Sequence, residues 1–158
     1  MAQTPPDLDV LLEPDSLLLI VVGAHLRAEL YDRPTAYGLQ HAAASWIGRS
    51  APPDAPALVP LVCTDVWCLN QPELRGRPTI ALGGPEVNAL SAMLAARLPS
   101  VFSIRDQYAV HLDLTFGDLV ALCWGADGSA TAAAVEVFRE RYLVGFLRAA
   151  LERQAVGR

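Results

Sequence analysis

The chain has 158 residues, of which 53% are hydrophobic and 18% charged, and its net charge is -5. This length and composition predict one folded domain with a sizeable core and exclude intrinsic disorder. The acidic balance excludes a dedicated nucleic-acid surface, which needs a basic face. All twelve basic residues are arginine. The absence of lysine excludes a P-loop, a Schiff base and a lysine general base.

Residues 1–15, "MAQTPPDLDVLLEPD", are rich in prolines and acids, and we predict a loose lead-in there. This segment lacks the basic start of a secretory signal. The longest apolar run, residues 17–22, is too short to span a bilayer. The three cysteines show no CxxC or zinc spacing, which predicts reduced thiols. The sequence therefore predicts a cytoplasmic protein with no membrane partner.

The first half of the chain alternates predicted strands with predicted helices. Residues 16–23, "SLLLIVVG", form the continuous apolar run of a strand that is buried on both faces. A helix is predicted from Pro34 to about residue 47, because proline suits the first turn of a helix. After a proline-rich loop, residues 57–63 predict a second strand, in which Pro60 favours an edge position or a bulge. Residues 64–77 then predict a loop with one helical turn.

The segment "PTIALGGPEVN", residues 78–88, predicts a short third strand over 79–82, two glycines and the start of a helix. Pro85 suits the first helical turn, and Glu86 suits the positive end of the helix dipole. Apolar residues then recur at helical spacing as far as Leu98, and Pro99 ends the pattern. We predict a helix over residues 85–98.

Residues 100–104 and 108–114 predict a hairpin whose second strand has one solvated face. Residues 118–124 predict another buried strand. A long helix, capped by Ser129, should then extend to about residue 153. Its apolar arc is broader than one sheet face needs, which favours a homo-oligomer formed through this C-terminal helix. Cover by the N-terminal segment is the alternative.

This alternation predicts an α/β fold, with a three-layer, open and mostly parallel sheet that includes an antiparallel hairpin, Rossmann-like or flavodoxin-like. We expect a single domain over residues 16–154, with residues 155–158 as a tail. The pattern leaves the strand order open.

In such sheets, ligands bind beyond the carboxyl ends of the strands. Our leading hypothesis is a small anionic or nucleotide-like ligand at this rim, and we predict no cofactor. The backbone of Gly83 and Gly84 would contact it. The remaining predicted contacts are the charges of Arg27 and Arg33, stacking on Trp67 or Trp124, and the neighbouring Asp127.

The two glycines have a second interpretation. Strand, glycines and helix can cradle a phosphate, but GxGxxG is absent, Pro85 removes a donor and Glu86 adds a negative charge. A tight turn that needs glycine dihedrals is the favoured interpretation.

The residues at the strand ends allow two further kinds of site, a cysteine nucleophile and a metal site. Cys63 or Cys68 with His25 and Asp65 would form the nucleophile, base and acid of a cysteine-dependent hydrolase or transferase. Buried cysteines are more often inert. Asp65 and Asp127 could share Mg²⁺, but acids after strands commonly cap helices, so we predict no metal.

The segments "TDVWCLN" (64–70) and "PTIALGGPEVNALSA" (78–92) resemble an uncharacterised bacterial family of α/β proteins that pairs TDVWxLN with GGPxVNALSA. The tail "AAVEVFRERYLVGFLRAAL" is similar as well, so the resemblance covers about the second two-thirds of the chain. The GGPxxN core is also similar to a motif of surface-layer and cell-wall-binding domains, where it joins a strand to a helix. Both resemblances imply an α/β fold, and neither supplies a catalytic residue.

Overall fold

The computed structural model describes residues 13–157, so most of the predicted lead-in lies outside the described residues. A six-stranded sheet in the order β2-β1-β3-β6-β5-β4 forms the centre. Its first four strands in that order are parallel, and β4 and β5 form an antiparallel hairpin beside β6. The predicted α/β fold is therefore confirmed. The strands are β1 (Leu17–Val22), β2 (Val59–Thr64), β3 (Thr79–Leu82), β4 (Ser100–Ile104), β5 (Tyr108–Leu112) and β6 (Val120–Gly125).

Helices cover both faces of the sheet. The helices are α1 (Arg33–Ser50), α2 (Asp65–Leu69), α3 (Ala89–Ala95), α4 (Gly128–Arg141) and α5 (Leu143–Val156). Helices α1, α4 and α5 bury one face, and α2 and α3 bury the other. A π-helical turn, Ala28–Asp32, joins β1 to α1. Among the described helices, none is both long and apolar enough to cross a membrane.

Strand β1 is the centre of the core, and all six of its residues are buried. Leu18, Ile20 and Val22 face the cluster under α1, α4 and α5, whereas the alternate residues face the α2 side. Both faces need apolar side chains, which explains the unbroken run in the sequence.

The helix predicted over residues 85–98 is shorter in the structure. The backbone N–H groups of Val87 and Asn88 both donate to Gly84 O, at 3.1 and 3.0 Å, and close a separate turn. Asn88 is extended, with φ -138° and ψ 113°, so α3 begins only at Ala89. Pro85 therefore belongs to the turn instead of the helix.

The long C-terminal helix is divided at Tyr142, where φ is -125° and ψ is -23°. Asp127, and not Ser129, caps α4, because its Oδ1 accepts from Ala130 N at 2.8 Å. The division lets both halves pack inward. Phe138 and Phe146 are fully buried, with ring centroids 5.9 Å apart. The broad apolar arc is thus explained within one chain, and the homo-oligomer stays a prediction.

Candidate functional site

The crevice between the carboxyl ends of β1 and β3 is the place where the strand order reverses, and open α/β sheets usually bind ligands there. Here the side chain of Asn88 fills it, with only 1% of the residue exposed. Asn88 Nδ2 donates to Val21 O and Leu82 O, at 3.1 and 2.8 Å. Its Oδ1 accepts from the N–H groups of Leu90 and Ser91. Asn88 thereby ties the two strand ends to the start of α3.

Asp65 closes the neighbouring gap, between β1 and β2. Its Oδ1 accepts from Ala24 N at 2.9 Å and Val66 N at 2.7 Å, and its Oδ2 accepts from Ala89 N at 2.7 Å. Gly23 completes the joint, because a Cβ there would lie 1.6 Å from Val87 O. We call Gly23, Asp65, Val87 and Asn88 the closed corner. This arrangement agrees with the tight-turn interpretation of the GGPEVN segment.

The α-carbons of Gly83 and Gly84 lie close to two carboxylates, those of Asp32 and Glu86. Gly83 has φ +99°, and a Cβ on it would lie 2.7 Å from Asp32 Oδ2. A Cβ on Gly84 would lie 2.5 Å from both carboxylate oxygens of Glu86. Since negative charges already occupy the space beside these glycines, a phosphate at this point would be repelled. Because Gly83 and Gly84 have no Cβ, there is room beside them for the carboxylates of Asp32 and Glu86.

We call Arg27, Asp32 and Glu86 the Asp32 cluster. Asp32 is fully buried, and neither of its carboxylate oxygens has a hydrogen-bond partner among the described residues. Arg27 Nη2 donates to Glu86 Oε1 at 3.3 Å and to Gly125 O at 3.5 Å. Arg27 Nε is buried and also lacks a partner within the described part of the chain. The cluster therefore holds a buried acceptor group and a buried donor that bond to nothing within residues 13–157.

The pKa of Asp32 reflects this environment. Burial raises it from 3.8 to about 6, the positive charge of Arg27 opposes the rise, and the negative charge of Glu86 adds to it. Sequence reasoning missed Asp32, because an acid just before a helix start normally indicates an exposed N-cap. Asp32 makes no such side-chain cap bond. No local pattern distinguishes it from an ordinary cap.

A second feature of the rim is a cavity of about 680 Å³ beside the carboxyl end of β2, which we call the edge cavity. It contains two of the predicted contacts, Arg33 and Trp67. The Nε and Nη2 of Arg33 donate to Glu29 at 2.9 and 3.1 Å, and Nη1 donates to the Tyr37 hydroxyl at 3.4 Å. Trp67 is 43% exposed. The described residues that line the cavity are Pro14, Leu17, Arg33, Leu61, Val62, Cys63, Thr64, Trp67, Gln71, Glu73 and Leu74.

Trp124 and Asp127 have structural partners of their own. Trp124 packs under α3, on the face opposite α1, and its indole N–H donates to His111 Nε2 at 3.0 Å. An indole nitrogen can only donate, so His111 carries its proton on Nδ1, which donates to Leu98 O at 3.2 Å. Asp127 caps α4. Their roles as ligand contacts remain predictions, while Gly83 and Arg27 lie beside Asp32 and Gly84 lies beside Glu86.

In the structure, the predicted nucleophile, base and acid of the cysteine site bond to other partners than one another. All three bonds of Asp65 go to backbone N–H groups, and His25 Nδ1 accepts from Arg27 N at 3.1 Å. The thiols of Cys63 and Cys68 interact instead: their hydrogen bond, together with burial, raises the pKa of Cys63, and the same bond lowers the pKa of Cys68. Within residues 13–157, no hydrogen bond joins Cys63, His25 and Asp65, and no three His, Cys, Asp or Glu side chains are grouped to hold a metal. The cysteine-dependent activity stays a prediction.

Comparison with known proteins supplies no function to weigh against this geometry. The sequence matches no protein-family model and no curated protein.

Proposed function

We propose that the chain is a cytoplasmic small-ligand-binding domain, and that the edge cavity takes a planar ligand with an anionic group. The observation that carries this proposal is the cavity itself. Its volume of about 680 Å³ lies in the range typical of small-molecule sites, and it lies along the edge strand β2 and reaches the carboxyl end of that strand.

We expect different side chains of the edge cavity to make different kinds of contact with the ligand. Apolar residues of β1, β2 and the Pro72–Leu74 turn form most of its wall. The half-exposed Trp67 offers a ring on which a planar group can stack, and such stacking contributes about 1–3 kcal/mol for a nucleic-acid base. Stacking is therefore the main expected source of affinity.

We expect Arg33 to contribute more to the orientation of a bound ligand than to its electrostatic attraction. Two hydrogen bonds to Glu29 hold its guanidinium in a fixed orientation and offset much of its charge. The pKa of Arg33 is raised by its bonds to Glu29 and Tyr37, so it stays positive. Glu73 also lines the cavity. We therefore expect a ligand with a single anionic group to bind better than a polyphosphate.

A thermal-shift screen of nucleotides and phosphorylated metabolites tests the proposal. A ligand at one hundred times its Kd stabilises a folded protein by about 2.7 kcal/mol. We expect Trp67→Leu to remove most of the shift, and Trp46→Leu, a tryptophan of α1 outside the edge cavity, to retain it. If no ligand shifts the folded protein, or if both variants respond equally, the proposal is wrong.

The homo-oligomer is a separate prediction about the same chain. Part of the apolar arc of α4 and α5 is buried within the chain, whereas Val144 is 37% exposed, and the test of the oligomer is the mass in solution. A strict monomer over a wide concentration range would remove it.

A further inference from the structure

Beyond the edge cavity, the Asp32 cluster has the properties of a second binding site. A buried carboxylate without a hydrogen bond is costly, because it has lost its hydration and gained no donor. Asp32 is in this state with both oxygens, and Arg27 Nε is a buried donor in the same condition among the described residues. Together they present two acceptor atoms and one donor atom that no described residue satisfies.

The charges of the cluster indicate the sign of a binding partner. Asp32 and Glu86 flank the single guanidinium of Arg27, so the ionised cluster carries a net charge of about -1. A monocation would neutralise it, whereas an anion would be repelled by two carboxylates. The oxygens of Asp32 need hydrogen-bond donors, which a quaternary ammonium lacks, and the described residues group no three His, Cys, Asp or Glu side chains to hold a metal ion.

The cluster also reaches the surface. The Arg27 and Glu86 side chains are 26% and 54% exposed, a 3.3 Å ion pair joins them, and both charges act on Asp32. An exposed pair of this kind contributes about 0–1 kcal/mol, so parting it costs little. A Cβ on Gly83 would lie 2.7 Å from Asp32 Oδ2 and 3.1 Å from Val87 Cγ2, so the surroundings of the carboxylate are close-packed and favour a compact ligand group.

We propose that Asp32, Arg27 and Glu86 bind a small primary ammonium group that carries a neighbouring oxygen acceptor. The ammonium donates to the two oxygens of Asp32, and the oxygen acceptor receives the N–H of Arg27 Nε. This site shares no residue with the edge cavity, so the two proposals succeed or fail separately.

The test is an NMR titration of the full chain with ethanolamine hydrochloride, at about pH 8, where Asp32 is ionised. Choline chloride and sodium chloride at equal concentration are the controls, since choline has the oxygen and the charge but no N–H donor. We expect a saturable shift of the Arg27 Nε–H and Gly83 N–H signals with ethanolamine alone.

Two variants complete the test. Asp32→Asn should weaken ethanolamine binding about tenfold or more, because the charge-assisted bonds are lost. Asp106→Asn removes an exposed carboxylate on the β4–β5 turn and should leave the titration unchanged. The proposal is overturned if choline or sodium gives the same shift, if Asp32→Asn binds as the native chain does, or if ethanolamine gives no saturable shift.

Discussion

Asp65 and Asp32 are both buried carboxylates at the carboxyl rim of the sheet, but their surroundings differ. Asp65 accepts three backbone N–H groups from three segments of the chain, whereas Asp32 accepts none among the described residues. The first arrangement satisfies a buried charge and fixes β1, β2 and α3 to each other. The second leaves a charge that weakens the fold at neutral pH and remains available to a ligand.

At the same rim, Asp65 stabilises the fold, whereas Asp32 is proposed to bind a ligand. The closed corner holds the loop geometry, and a substitution there should damage the fold. The Asp32 cluster carries a stability cost, which is common where residues serve binding. Isosteric substitutions of the two aspartates should therefore change stability in opposite directions.

The largest effect is expected in the closed corner. Gly23→Ala puts a methyl carbon 1.6 Å from Val87 O, so the backbone of the corner must move. We expect a loss of more than about 4 kcal/mol in the free energy of unfolding by urea. Gly38→Ala in α1 is the matched control, since its Cβ meets nothing within 4 Å. It should stabilise the helix by up to about 1 kcal/mol. Equal stability of the two variants would show that the corner is not close-packed.

Asp65→Asn should cost about 2–4 kcal/mol, because the amide nitrogen replaces one acceptor and faces a backbone N–H. Urea unfolding at neutral pH measures the change, with the exposed Asp106→Asn as the control for loss of a charge. A change below about 0.5 kcal/mol would contradict the role given to Asp65.

Asp32→Asn should have the opposite sign. Burial raises the pKa of Asp32 from 3.8 to about 6, so the folded state binds a proton that the unfolded state has released between these values. The native chain therefore loses stability as pH rises through this window. The variant should be more stable above about pH 6, by up to about 3 kcal/mol, and gain nothing below about pH 4. Urea unfolding at several pH values checks this, and a loss of stability at neutral pH would refute it.

The smallest effect is expected at Glu86. Glu86→Gln removes one exposed ion pair, so stability should change by less than about 1 kcal/mol. The pKa of Asp32 should fall, because the negative charge of Glu86 helps to raise it. Carboxyl-carbon NMR titration of Asp32 measures this shift. An unchanged or higher pKa would mean that the two carboxylates do not interact.

The sequence by itself determined the fold class. The unbroken apolar run of β1 is typical of a strand covered on both faces, and the structure has such a strand. The solvated face predicted for β5 is wrong, because Ala109 on that face is buried and His111 is half-buried against Trp124. Pro60 indicated an edge position or a bulge, and β2 is an edge strand, in which the Pro60 carbonyl accepts from Gln40 Nε2 of α1 at 3.0 Å. These properties are local, so periodicity and single residues reveal them.

Only the tertiary structure decided which rim residues are satisfied. Asn88, Asp65 and Asp32 look alike as polar residues beside strand or helix ends. The first two find partners 24 to 67 residues away in the chain, and Asp32 finds none in the described part. Hydrogen-bond satisfaction depends on which segments meet in space, and burial depends on what covers them. Neither hydrogen-bond satisfaction nor burial can be deduced from a local sequence pattern. The Asp32 cluster is therefore recognised only in the folded structure.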